Sequence, residues 1–210
     1  MVHLSVAKKI IDAGFNINKL SQFYLGAIAP DAIHMRKNND RFDKNDTHLI
    51  PRGKKLADVD NDEHFNFMMD FISNNKNRAD FDLLWGYGIH ILTDMYWKCV
   101  YLNFVENYKK DTAPIQDERL AYYNDTDILD QMLFNECSWK NDVWQHLQSA
   151  AYSDFLNLLS AQEIKLWNER TLHWFDSGES QHKNPIKYIA KSDIEDFIAS
   201  CAETIWCKIH

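Results

Sequence analysis

Residues 81–108 read FDLLWGYGIHILTDMYWKCVYLNFVENY, and the fold turns on this stretch. Its middle carries apolar side chains nearly all round a helical wheel, which marks the central helix of a bundle rather than a surface one. Helical signals continue on both sides. Leu4, Ala7, Ile10 and Ile11 predict a first helix over 3–13, with Gly14 as its stop. A second is expected from about Asn18 through Leu25, ending before Pro30. Residues 31–57, rich in Asn, Asp, Lys and Arg, read as an extended loop. Phe65, Met68, Met69 and Ile72 mark a helix near 60–74, and further helices are expected over 115–136, 140–159, 161–175 and 193–208. Two of these starts carry capping boxes, Ser160-Ala-Gln-Glu163 and Ser192-Asp-Ile-Glu195. Asp176–Pro185 reads as the last connecting loop. With no internal repeat or linker, the expectation is all-α: one single-domain helical bundle over 1–210 around the long central helix.

Composition narrows the function classes. The net charge of −8 argues against broad nucleic-acid or anionic-membrane binding, so no stable nucleic-acid partner is expected. No apolar run approaches the ~20 residues of a membrane span, so no transmembrane segment is expected. The start, MVHLSVAKKIIDAG, lacks a long apolar core and a small-residue cleavage site, which points to a cytoplasmic protein. Cys99, Cys137, Cys201 and Cys207 form no CxxC pair and are expected to be reduced thiols, mostly packing residues.

The chemistry-bearing signal sits inside the central helix. His90 and Asp94 are four apart, so both side chains leave one helical face. A carboxylate among Trp85, Ile91, Leu92 and Met95 is costly unless paired. A metal ion relieves that cost, as does a private His–Asp ion pair; this motif alone leaves both open. In the segment LGAIAPDAIHMR, Pro30 turns the chain at Asp31, which could share a turn with His34 or simply cap a helix. His48 in a charged loop and His3 near the terminus are, singly, ordinary surface residues.

Taken together, His3, Asp31, His48 and the helical His90-x-x-x-Asp94 resemble the zinc-dependent phospholipase C family, whose superfamily includes the fungal single-strand-specific nucleases. The resemblance covers roughly the first half of the chain. It implies that Asp31, His48, His90 and Asp94 hold a first zinc ion, and that His3 with Asp94 holds a second. The phrases LGAIAPDAIHMR, GYGIHILTDMYW and YYNDTD look like a small bacterial branch described only as hydrolases, in which His34 would be a further ligand or substrate contact. Asp125 and Asp127 would be supporting carboxylates there, with helix N-caps as the competing reading. Two features depart from the family. The chain begins Met1-Val2-His3 rather than with a ligating tryptophan, and His146 and His173 have no acid four residues later. The expectation is therefore one or two zinc ions, not three.

Residues 36–55 hold Arg36, Lys37, Arg41, Lys44, Arg52, Lys54 and Lys55 against Asp40, Asp43 and Asp46, a net +4 in an acidic chain. Such a run is either a solvated loop or the mouth of a site for a small anionic phosphoester, with Arg36 and Lys44 as substrate contacts. The activity expected is metal-assisted phosphoester hydrolysis, with Asp31 as catalytic base if it is not a tight ligand. Competing enzyme classes lack their motifs: there is no His-Asp dipeptide, no HExxH and no pair of Glu-x-x-His motifs. The remaining alternative is a non-catalytic relative with a structural metal.

Overall fold

Leu4, Ala7 and Ile10 fall on one face of α1 (Val2–Asp12), and that face is buried against α5 (Phe81–Lys110) and α9 (Lys191–Ile209). The computed structural model describes residues 1–38, 40–51, 53–114, 116–176 and 184–210, without the side chains of Arg41 and Phe42. Arg52, those side chains and most of the 176–185 connection thus lie outside the described residues. The chain is all-α, and among the described residues no strand occurs beyond an isolated bridge between Phe155 and Leu159. No described helix is long and apolar enough to cross a membrane.

α5 is the axis. Its first half, from Leu83 to Met95, is buried almost without interruption, whereas Tyr101 and Leu102 in its second half are exposed. α2 (Leu20–Gly26) makes the most extensive contact with it. There Gly26 and Gly86 face each other, and the two backbones meet with no room for a side chain. A Cβ on Gly86 would stand 1.9 Å from the Phe23 carbonyl oxygen, and one on Gly26 would stand 2.1 Å from that of Leu83. α4 (Asn61–Asn74) covers another side of α5, with Asp60 accepting from the amides of Asp62 and Glu63 as its N-cap.

Residues 31–57 are not the extended loop the composition suggested. They contain most of a 3₁₀ helix (Ala29–Met35), then α3 (Arg41–Thr47) and a short 3₁₀ turn (Leu56–Asp58). The reason is local. Asp40 and Asp43 cap each other's amides reciprocally, at 3.0 Å each, the geometry of a capping box built from two aspartates.

The second half runs α6 (Glu118–Glu136), α7 (Lys140–Gln148), α8 (Ala161–His173) and α9. The helix expected over 140–159 ends at Gln148. Asn168 on α8 donates its side-chain amide to the Leu147 carbonyl, satisfying a last-turn acceptor from outside the helix, and the chain then passes through positive φ at Leu156 and Asn157. The Ser160 capping box is present, but α9 starts two residues earlier than Ser192 implies: Ala190 is its N-cap, and Asp193 accepts from the Ala190 amide. All four cysteines are unpaired; Cys201 is buried, but Cys99 and Cys207 are exposed rather than packed.

Candidate metal centre

Four segments deliver the site. α1 brings His3, the 3₁₀ helix brings Asp31, the end of α3 brings His48, and α5 brings His90 and Asp94. The close passage at Gly26 and Gly86 has a direct consequence here. It sets the Ala27 carbonyl 2.9 Å from His90 Nδ1, which therefore carries the proton and donates to it. His48 is held in the same way, with Nδ1 3.0 Å from the Lys44 carbonyl. Tyr87, one turn before His90, donates its hydroxyl to the Thr47 carbonyl and so ties the end of α3 to α5.

With both Nδ1 atoms donating, both Nε2 atoms present a lone pair to the same space. His48 Nε2 lies 3.4 Å from Asp31 Oδ1 and 3.5 Å from Asp94 Oδ2. His90 Nε2 lies 3.8 Å from Asp31 Oδ2 and 3.7 Å from Asp94 Oδ2. Among the described residues neither Nε2 has a hydrogen-bond partner, although both imidazoles are buried. Zinc–nitrogen and zinc–oxygen bonds of about 2.0–2.2 Å place tetrahedral ligand atoms about 3.3–3.5 Å apart. The observed histidine–carboxylate separations match or slightly exceed that edge length, so the donor atoms stand at distances that a zinc ion could span. Unpaired buried lone pairs are otherwise destabilising, so their convergence is a strong signal.

Asp94 faces two ways. Oδ2 points at His48 and His90, while Oδ1 takes His3 Nε2 at 2.8 Å. The His3 ring also stacks on His90, with centroids 3.8 Å apart. Two donor groups therefore exist, one of Asp31, His48 and His90 and one of His3, His90 and Asp94, with Asp94 placed to serve both.

Protonation suits ligation. Burial, reinforced by His3, pushes His90 down to about 3, so it is neutral at physiological pH. Burial pushes the Asp31 carboxyl up, but His48, His90 and Lys44 around it outweigh that and hold it well below the usual carboxylate range. Asp94 is likewise held low, because the His3 contact overcomes burial. Both carboxylates remain about a quarter exposed, opening onto two cavities. One, of about 410 Å³, is lined by His3, Asp31 and His90. The other, of about 740 Å³, is lined by His48, Asp94, Lys44 and a mainly apolar wall including Ile50, Leu56 and Trp97.

The other expected residues separate. His34 Nε2 is 3.7 Å from Asp31 Oδ1, but the ring is half exposed at the cavity rim and stands outside both donor groups. Lys44 Nζ also lies 3.7 Å from Asp31 Oδ1, at the mouth. Arg36 does not face the cavities. Its guanidinium pairs with Glu163 at 2.7 Å, reaches Asp43 and the Leu158 carbonyl, and so joins the 3₁₀ helix to α8. Asp125 is inside α6 and accepts from the amides of Lys187, Tyr188 and Ile189; it anchors the approach to α9. Asp127 lines the smaller cavity. Neither aspartate is a helix N-cap, a role taken in α6 by Asp117.

The smaller cavity also contains residues that the spacing of motifs did not single out: Trp167, Arg170 and Trp174. They recur at three and four residues along WNERTLHW, a helical spacing that could have shown the stripe in the sequence. Comparison with protein-family models, with curated proteins and with solved structures finds no match to this chain.

Proposed function

We propose that this chain is a metal-dependent phosphoester hydrolase holding one or two zinc ions, a relative of the zinc-dependent phospholipase C family. The observation that carries the reading is the pair of buried, unpartnered Nε2 atoms of His48 and His90, facing Asp31 and Asp94 at tetrahedral spacing. Bound zinc supplies Lewis acidity, making water nucleophilic near neutral pH and offsetting charge that develops on a phosphoryl group. The protein's own part is to hold the donors rigidly. The Ala27 and Lys44 carbonyls fix both imidazole tautomers, a support whose loss typically costs ~10–100-fold in metal affinity. Asp31 serves first as a ligand, surrounded as it is by His48 and His90, and orients water through whichever oxygen is not committed. Lys44, beside Asp31, draws an anionic ester to the mouth.

The alternative, a non-catalytic relative with a structural metal, calls for a closed site. Here Asp31 and Asp94 open onto two cavities, so water or a small substrate can reach the donors, which favours catalysis. The test is metal content, together with hydrolysis of a panel of phosphomonoesters and phosphodiesters by the zinc-loaded chain. One or two ions per chain and turnover of at least one ester are expected; a chain that takes up no zinc ends this reading, and one that binds zinc but hydrolyses nothing supports the structural-metal alternative.

The second ion has its own test. His3→Ala removes the donor on Asp94 Oδ1 while leaving the four-residue set complete. Bound zinc should fall by about one ion per chain if two are held, with the helical circular dichroism unchanged. Equal zinc content in His3→Ala and the parent would mean that His3 only pairs with Asp94.

A further inference from the structure

The smaller cavity carries a cation that no carboxylate among the described residues pairs with. Arg170 on α8 is the only lysine or arginine among that cavity's described lining residues. Its guanidinium carbon lies 4.7 Å from the Trp167 ring centroid and 4.6 Å from that of Trp174, so the planar group is held by two indoles. Aromatic faces restrain a guanidinium without consuming its N–H donors, which lie in the plane and stay free for an anion. The same cavity is lined by His3, Asp31 and His90. Trp167 also contacts the His34 ring, 5.7 Å between centroids, and His34 Nε2 in turn lies 3.7 Å from Asp31 Oδ1.

Counting oxygens selects the substrate. A guanidinium fork engages two oxygens of a phosphate at once. A Lewis-acid centre needs at least one more. A phosphomonoester has three non-ester oxygens and the higher charge, so it can satisfy both without sharing an oxygen; a diester has two and must share one between the fork and the Lewis acid. We infer that Arg170, clamped between Trp167 and Trp174, is the substrate-binding residue that receives the phosphoryl oxygens and makes the site prefer phosphomonoesters over diesters. The inference rests on the metal-centre reading above. It moves the anion-binding role from Arg36, which is tied to Glu163, to Arg170, which lines the smaller cavity.

The zinc-loaded parent and Arg170→Gln are titrated with inorganic phosphate, as the monoester-like anion, and with dimethyl phosphate, as the diester-like one. Arg170 is exposed and makes no ion pair with a described residue, so the substitution should leave folding and zinc content as in the parent. Arg170→Gln should weaken phosphate binding at least ~10-fold, change dimethyl phosphate binding much less, and so erase the parent's preference between the two. On any ester the parent hydrolyses, KM for monoesters should rise with kcat less affected. Arg170→Lys should recover only part of the affinity, since an ammonium group is a point charge rather than a fork. Equal phosphate affinity in parent and Arg170→Gln overturns the inference, as does a parent that prefers dimethyl phosphate; in both cases zinc content as expected leaves the metal centre standing. A parent that takes up no zinc brings down the metal-centre reading and this one with it.

Discussion

His90→Ala should all but empty the metal centre. His90 Nε2 faces both Asp31 and Asp94, and its ring takes part in both donor groups, so no other single histidine touches as much of the site. Metal affinity should fall at least ~10-fold, because removing a ligand costs no less than removing the group that orients it. Hydrolysis of any phosphoester turned over by the parent should fall in step, since the nucleophile depends on the ion. The residue is buried, and its loss also leaves the Ala27 carbonyl without its donor, so stability must be read alongside. His90→Gln keeps most of the volume and serves as the second variant. His146→Ala is the control: that histidine sits on α7 against Tyr24 and reaches only Asp142, so its removal should cost within the usual ~0.5–3 kcal/mol of a point mutant and leave zinc binding unchanged. A folded His90 variant that binds zinc and turns over ester like the parent would refute the metal centre.

Gly86→Ala should be among the most damaging substitutions in the helical scaffold, although it adds a single methyl group. In an ordinary helix, glycine to alanine gains about 1 kcal/mol. At this position the new Cβ would stand 1.9 Å from the Phe23 carbonyl oxygen and 2.9 Å from the Ala27 amide nitrogen, both backbone atoms of the α2 segment that cannot swing aside. α2 must therefore lift away from α5. Overpacking of a tight core typically costs ~1–3 kcal/mol, and a backbone-on-backbone clash belongs at or above the top of that range. Displacing α2 also withdraws the Ala27 carbonyl from His90 Nδ1, so zinc affinity should drop by the ~10–100-fold expected for losing an orienting partner. Gly88→Ala separates the two effects. Its Cβ would meet the Cδ1 tip of Ile72 at 2.8 Å, a side-chain end that can shift, so the cost should be smaller and zinc binding spared. Denaturant midpoints and zinc titrations of the two variants decide the matter. Parent-like stability and zinc affinity in Gly86→Ala would show that the α2–α5 approach is looser than described here.

What the amino-acid sequence determined by itself is what depends on near neighbours. The all-α class follows from 3.6-residue periodicity, the central place of α5 from apolar side chains round its wheel, and the stop at Gly14 from a residue free to adopt φ +104. The shared face of His90 and Asp94 is also local, because four residues make about one helical turn. The reciprocal Asp40–Asp43 cap was equally local and was hidden only by the charged composition around it. Tertiary structure alone decided the rest. Asn168 ends α7 early, Glu163 claims Arg36 across 127 positions, and Asp125 turns to the amides of 187–189. The orphaned Nε2 atoms of His48 and His90 acquire meaning only because Ala27, at the end of α2, and Lys44, in α3, supply carbonyls to their other nitrogens. Nothing local marks Arg170; the fold places its guanidinium over two indoles in a cavity that His3, Asp31 and His90 also line. Partners far apart in sequence leave no periodic trace, since they are selected by packing in three dimensions and not by any repeat along the chain.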